Sequence, residues 1–128
     1  MGAFMVECKL RDVAKSGPEK TIAAVLVDPG SEDTWLPEDV LLAAGVTVAK
    51  KDLTFVMANG MTITRDVGYA FLSSGEFETV DEVVFARSED LSLLGARTLE
   101  GFAARVDSRE KRLVAAGPIP VAGTVAVH

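Results

Sequence analysis

Short runs of apolar or alternating residues, each followed by a turn signal, are the feature that most constrains how this chain can fold. Residues 4–10 alternate between apolar and mostly polar side chains, and this period of two predicts a half-buried strand. Residues 21–27 form a β-branched and apolar run, which predicts a more deeply buried strand that ends at Asp28. Further strands are predicted over residues 53–57, 61–63, 67–72, 80–86 and 91–95. Many short strands favour an all-β domain.

Two short helices and two turns are predicted between these strands. Residues 36–45 carry proline near the start, acids in the first turn and glycine at the end, which is a helix signal. Thr98 is predicted to cap a second short helix. Asn59-Gly60 predicts a hairpin, because both residue types tolerate positive φ. Residues 107–112 predict a charged, solvated turn.

Length and charge limit the classes of protein to consider. The chain has 128 residues, of which 48% are hydrophobic and 25% charged, as in ordinary globular proteins. We expect one domain over residues 1–116, followed by a tail, 117–128, that is either an interface strand or a loose end. The formal net charge of −6 argues against nucleic acid or an anionic membrane as a partner, since both need clustered cations.

Cysteine and histidine are too scarce for several kinds of site. One Cys and one His exclude a disulfide within the chain and a zinc site of Cys and His ligands, so we expect neither a metal nor a cofactor. Cys8 lies in an alternating pattern and is predicted to be a small buried hydrophobe. No apolar run is long enough to cross a membrane, so a cytoplasmic protein is expected.

The stretch Leu-Val-Asp-Pro-Gly-Ser at residues 26–31 is the strongest functional signal. A strand delivers the carboxylate of Asp28 to a tight loop in which Gly30 allows a sharp turn. The same residues also suit a simple β-turn, in which the aspartate only turns the chain. From this loop alone both interpretations stay open.

The loop resembles the active-site motif of the retropepsin-like (retroviral-type) aspartic peptidases, apolar-apolar-Asp-Thr/Ser-Gly-Ala/Ser, at every position except Pro29. Three further features follow in the family's order. They are the helix from residue 36, the hairpin at Asn59-Gly60 where the family has its flap, and the apolar-apolar-Gly element formed by Leu93, Leu94 and Gly95. The resemblance covers roughly residues 4–115. It implies a closed retropepsin-like β-barrel with one or two short helices and one half-site per chain.

The resemblance also implies a function and a set of site residues. It implies an aspartic endopeptidase that acts as a homodimer, with Asp28 of each subunit activating water for hydrolysis of a peptide or protein substrate. The implied active-site loop is completed by Pro29, Gly30 and Ser31, the implied loop support is Leu93, Leu94 and Gly95, and the implied substrate-binding residues are Glu32, Met57, Ala58, Asn59, Gly60 and Met61.

Two departures from the family's pattern bear on activity. Pro29 replaces a threonine whose hydroxyl and N–H join the two loops across the dimer axis, and proline has neither group. Ala96 stands where retroviral members have an arginine, and Arg97 comes one place later. The alternative is therefore a catalytically inactive dimerisation or peptide-binding module on the same fold. A third interpretation is an unrelated small β-barrel.

Overall fold

The computed structural model describes residues 3–118, and strands dominate its secondary structure. The prediction of an all-β domain is confirmed. The described residues contain two short helices, α1 (Glu38–Ala43) and α2 (Ala96–Gly101). The same part of the chain contains nine strands: β1 (Met5–Asp12), β2 (Lys20–Val27), β3 (Thr34–Pro37), β4 (Val48–Val56), β5 (Thr62–Ser74), β6 (Phe77–Ala86), β7 (Leu93–Leu94), β8 (Ala104–Asp107) and β9 (Arg112–Ala115).

Seven of the strands form one mixed sheet in the order β1-β2-β7-β3-β6-β5-β4. The pairs β2–β7 and β3–β6 are parallel, and the other pairs are antiparallel. Strand β1 also pairs with β5, so it has a partner on each side. Strands β8 and β9 form a separate two-stranded sheet around the predicted charged turn. The sheet order brings the ends of β2 and β7, which are distant in sequence, side by side.

The alternation in β1 is confirmed, because Cys8 and Leu10 are fully buried while Glu7 and Lys9 are not. The deep burial predicted for the whole of residues 21–27 is wrong in its first half. Within residues 21–27, only Val25 and Val27 are buried. The first part of β2 pairs only with β1, because β7 pairs only with the last two residues of β2. The first part of β2 therefore has a neighbouring strand on one side only.

The first helix ends as the sequence predicts. Gly45 has φ of +88°, and its N–H donates to the carbonyl of Leu42 at 3.0 Å. The N–H of Val46 donates to the carbonyl of Leu41 at 3.0 Å. These two bonds satisfy carbonyls that the helix leaves free, and the left-handed conformation they require favours glycine.

The second helix begins earlier than predicted. Its N-cap is Gly95, and Thr98 is a buried residue within the helix rather than a cap. The Thr98 hydroxyl bonds to other elements, described below, and this tertiary demand overrides the capping preference. No helix among residues 3–118 is long and apolar enough to cross a membrane. The predicted tail lies, from residue 119 onward, outside the described residues.

Cys8 provides a test of the packing. Burial of its thiol raises the pKa to about 12. A protonated, fully buried thiol is not nucleophilic. We expect a small thiol reagent at pH 8 to label Cys8 at the rate of global unfolding, and to label it rapidly in urea. Because the unfolded thiol titrates at a lower pH, this group should also weaken stability as pH rises from about 9 to about 12. Rapid labelling of the native protein would contradict the buried position.

Candidate active site

Asp28 lies directly after β2, at the point where β2 pairs with β7. Leu26 and Val27 pair with Leu93 and Leu94 in parallel register. The N–H of Asp28 donates to the carbonyl of Leu94 at 3.0 Å, which extends the pairing by one bond into the loop. The start of the loop is therefore fixed by backbone hydrogen bonds. Leu93 and Leu94, two of the residues predicted as loop support, thus pair with the strand that leads into the loop.

The loop itself is a tight turn over residues 28–31. The N–H of Ser31 donates to the backbone carbonyl of Asp28 at 3.1 Å, and the N–H of Gly30 donates to Asp28 Oδ1 at 3.1 Å. Asp28 Oδ2 accepts no hydrogen bond from residues 3–118, and the side chain is half-buried. Pro29 and Gly30 are exposed. The carboxylate is thus oriented by a hydrogen bond to one of its two oxygens.

Gly95 allows α2 to pack directly against the backbone of this loop. A Cβ at residue 95 would lie 2.3 Å from the carbonyl oxygen of Asp33. The close approach lets the first helical N–H groups bond to the loop, from Ala96 to the carbonyl of Ser31 at 2.7 Å and from Arg97 to that of Glu32 at 3.2 Å. The predicted supporting role of Gly95 therefore has a steric basis.

A buried chain of hydrogen bonds holds the same corner from inside. The N–H of Gly95 donates to Thr34 Oγ1 at 2.9 Å, and the Thr34 and Thr98 hydroxyl oxygens are 2.5 Å apart. Thr98 Oγ1 donates to Asp81 Oδ2 at 2.6 Å. Because Thr98 gives its single proton to the carboxylate, the Thr34 hydroxyl must donate to Thr98. All donors in this corner then point the same way, toward β6.

An ion pair joins Arg97 of α2 to Asp33, which lies between the loop and β3. Arg97 Nη2 pairs with the carboxylate of Asp33 and lies 3.1 Å from Glu82 Oε1. Lys50 Nζ lies 2.9 Å from the other oxygen of Glu82 and holds the pKa of that carboxyl below its usual value. Glu32, in contrast, has an exposed side chain. Arg97 therefore pairs with Asp33 and not with Glu32.

A groove of about 620 Å³ runs between the Asp28 loop and the β4–β5 hairpin. Of the predicted site residues, six line this groove: Asp28, Gly30, Ser31, Met57, Ala58 and Leu93. The predicted substrate-binding residues Glu32, Asn59, Gly60 and Met61 do not line it. Asp33, next to Glu32, does. The structure therefore brings the loop and one side of the hairpin tip together.

The hairpin predicted at Asn59-Gly60 is confirmed, because β4 and β5 pair antiparallel on either side of it. Of Asn59 and Gly60, only Gly60 has a positive φ, at +86°. The N–H of Gly60 donates to the carbonyl of Met57 at 2.8 Å, and the N–H of Met57 donates to that of Met61 at 2.7 Å. Asn59 Oδ1 accepts from the N–H of Met61 at 3.0 Å. The turn thus centres on Ala58 and Asn59, with Gly60 as a bulge, which is a common three-residue hairpin loop.

Several residues that line the groove were not among the predicted site residues. Trp35 and Phe55 meet edge to face, with ring centroids 5.1 Å apart, and so connect β3 to the hairpin arm. Val56 is 73% exposed and Leu91 is 68% exposed. Leu91 was expected within a strand over residues 91–95, but the strand contains only Leu93–Leu94. Exposed large apolar residues beside a groove are typical of a surface that binds another molecule.

A buried ion pair links the hairpin to the loop between β6 and β7. Arg65 on β5 donates from Nε to Asp90 Oδ2 at 2.7 Å and from Nη2 to Asp90 Oδ1 at 2.9 Å. The side chains of Arg65 and Asp90 are 6% and 9% exposed. Asp90 also lines the groove. No sequence pattern indicated this pair, because 25 positions separate the two residues.

Among residues 3–118, no group of three or more His, Cys, Asp or Glu side chains could hold a metal ion. Compared with known proteins, the chain matches no protein-family model and no curated protein.

Gly95→Ala tests whether the close approach of α2 supports the loop. We expect a loss of roughly 3 kcal/mol in the free energy of unfolding, since the added methyl overlaps backbone that cannot move aside cheaply. Gly75→Ala is the matched control. It has open space around the Cβ and should cost only roughly 1 kcal/mol for its positive φ. Urea denaturation measures both, and equal losses would contradict the steric role of Gly95.

Proposed function

We propose that the protein is an aspartic endopeptidase that acts as a homodimer and cleaves peptide bonds with one Asp28 from each subunit. The observation that carries this proposal is the position of Asp28 in the groove. Its carboxylate is fixed by backbone bonds at the end of β2 and faces a hairpin that can cover a bound peptide. A retropepsin-like half-site needs both elements.

The connections between the strands also favour the retropepsin-like form of the fold. Because β1 pairs with β2 on one side and with β5 on the other, the strands β1, β2, β7, β3, β6 and β5 follow one another in a ring. We infer that the sheet closes as a barrel with the groove on its surface. The hairpin arm, β4, extends from this ring through its pairing with β5.

The chemistry explains why a second subunit is required. In aspartic peptidases two carboxylates about 3 Å apart share one proton, because like charges this close cannot both ionise. The ionised carboxylate takes a proton from the attacking water, and the protonated one polarises the carbonyl of the scissile bond. Each chain supplies one such aspartate, so a twofold axis must pass beside Asp28. A peptidase of this kind is expected to work best at acidic or mildly acidic pH.

The surface around Asp28 suits both a partner and a peptide. Val56, Met57 and Leu91 are exposed apolar residues on the groove. Burial of apolar area of this kind is worth roughly 25 cal/mol per Å². An extended peptide in the groove would place alternate side chains against these residues, with its scissile bond above Asp28.

The second candidate is a peptide-binding or dimerisation module without catalysis, and the observation that favours it is Pro29. This exposed residue sits between Asp28 and Gly30, where it can donate no hydrogen bond to a second loop. The turn bonds at Asp28 also fit the third interpretation, in which the aspartate only shapes the loop. The peptidase differs from these two candidates in cleavage, which gives the first test.

Asp28→Asn tests the catalytic assignment. Incubation of a mixed peptide substrate with the protein between pH 3 and pH 7 should give cleavage products, and the variant should lower kcat by about a thousandfold or more. Asp39→Asn, an exposed acid on α1 that lies outside the groove, is the control and should retain activity. Cleavage that persists in Asp28→Asn would exclude this mechanism, and no cleavage by either protein would favour the module.

Pro29→Thr tests whether proline weakens the dimer. Threonine restores a hydroxyl and an N–H in each loop, and one new bond per subunit at about 1 kcal/mol gives about 2 kcal/mol in a symmetric dimer. We therefore expect the dimer Kd to fall roughly thirtyfold, with more cleavage at low protein concentration. Sedimentation equilibrium measures the Kd. An unchanged dimer Kd together with unchanged cleavage would show that Pro29 does not limit assembly.

A further inference from the structure

The loop between β6 and β7, residues 87–92, forms a wall of the groove and is organised around Asp90. The N–H of Arg87 donates to Asp90 Oδ2 at 2.8 Å, and the N–H of Asp90 donates to the carbonyl of Arg87 at 2.9 Å. Leu91 follows at once and lines the groove, and the next strand supports the Asp28 loop. The position of Asp90 therefore sets the position of the whole wall.

Arg65 holds Asp90 from the hairpin side. It lies on β5 opposite Leu53 of β4, a few residues below the hairpin tip. Two parallel bonds to both carboxylate oxygens fix the plane of the carboxylate as well as its distance, which a single bond would not. Arg65 Nη1 also donates to the carbonyl of Thr64 at 2.8 Å, so the guanidinium is itself held in place.

We propose that Arg65 is a positioning residue for peptide binding, which acts through Asp90 to hold the groove wall that carries Leu91 at a fixed distance from the hairpin. This inference rests on the proposed peptidase function for its kinetic consequence, but its structural part applies to the free protein.

A buried ion pair of this kind contributes geometry more than stability. The cost of removing two charges from water offsets much of their attraction, so an apolar pair of similar size would hold the core equally well. It would not hold the loop in one orientation. The placement of the pair between the two walls of the groove agrees with a role in shaping the groove.

The charges around the pair keep it intact under acidic conditions. The hydrogen bonds from Arg65 hold the pKa of Asp90 below its ordinary value of 3.8. The other charged groups near the pair are Glu89, whose Oε2 lies 3.7 Å from Arg65 Nη2, together with Glu38 and Arg87. Because the folded pKa is lowered, the pair is complete above pH 3.8 and is lost only as pH falls through the lower folded value. The wall formed by residues 87–92 therefore stays anchored at the acidic pH values at which two Asp28 carboxylates sharing a proton would work.

Arg65→Lys and Asp90→Asn test the inference. Lysine keeps the charge but replaces the rigid fork with a single point of contact. Asparagine keeps the shape but has one acceptor oxygen instead of two, so it cannot accept from both Nε and Nη2 of Arg65. We expect amide hydrogen exchange at Arg87 and Asp90 to accelerate about tenfold in both variants. In peptide cleavage, we expect KM to rise about tenfold while kcat changes by less than about threefold, since binding is lost and the dyad is untouched.

The control for general destabilisation is Asp12→Ala. Asp12 also anchors a loop, by accepting from the N–H of Gly17 at 2.7 Å and from the Ser16 hydroxyl at 2.9 Å, but it lies outside the groove. Asp12→Ala should lower stability without raising KM or the exchange rate at Arg87. A rise in KM equal to that of Arg65→Lys would overturn the inference, as would normal loop exchange in Arg65→Lys and Asp90→Asn.

The two proposals fail separately. If the parent protein cleaves no peptide, the peptidase proposal fails, and hydrogen exchange on the free protein still decides whether Arg65 and Asp90 hold the wall. If the parent protein cleaves peptides and the variants keep its KM, the positioning role fails and the peptidase proposal stands. A pH profile adds a third readout: the KM of the parent should rise only as pH falls through the lowered pKa of Asp90, and that of Asp90→Asn should lack this rise.

Discussion

The short parallel pairing between β2 and β7 is the contact on which the candidate site depends. Two residue pairs and one further bond, from the N–H of Asp28 to the carbonyl of Leu94, fix where the strand ends and the loop begins. Gly95 then allows α2 to meet the loop backbone without a side chain between them. Water competes poorly for backbone hydrogen bonds that are made in a buried corner. These backbone bonds, and not mobile surface side chains, therefore set the position of the Asp28 carboxylate.

Two ion pairs extend this fixed corner to the walls of the groove, and they differ in character. Arg97 and Asp33 form a partly exposed pair that joins α2 to the loop, where solvent screens the attraction. Arg65 and Asp90 form a buried, bidentate pair that joins β5 of the hairpin to the groove wall formed by residues 87–92. Together with the edge-to-face contact of Trp35 and Phe55, they make the groove a product of long-range contacts between elements that are separate in sequence.

Local patterns predicted the elements better than the partners of individual residues. The period of two in β1 and the glycine that ends α1 were sufficient, because both depend on backbone geometry within a few residues. Thr98 was misjudged as a helix cap, because a hydroxyl that suits a cap can instead be used in a buried network. The hairpin at Asn59-Gly60 was predicted correctly, since its signal also lies within a few residues.

The sequence by itself determined that the chain forms short strands, that an aspartate follows the second of them at a tight turn, and that a hairpin lies about thirty residues later. Only the tertiary structure decided that Asp33 rather than Glu32 pairs with Arg97, and that Arg65 and Asp90 meet across the groove. Strand and turn preferences act over neighbouring residues, so they can be read along the chain. Charge pairing depends on which strands become neighbours in the sheet, and no local pattern in this chain specifies the order that brings β6, β7 and the hairpin together.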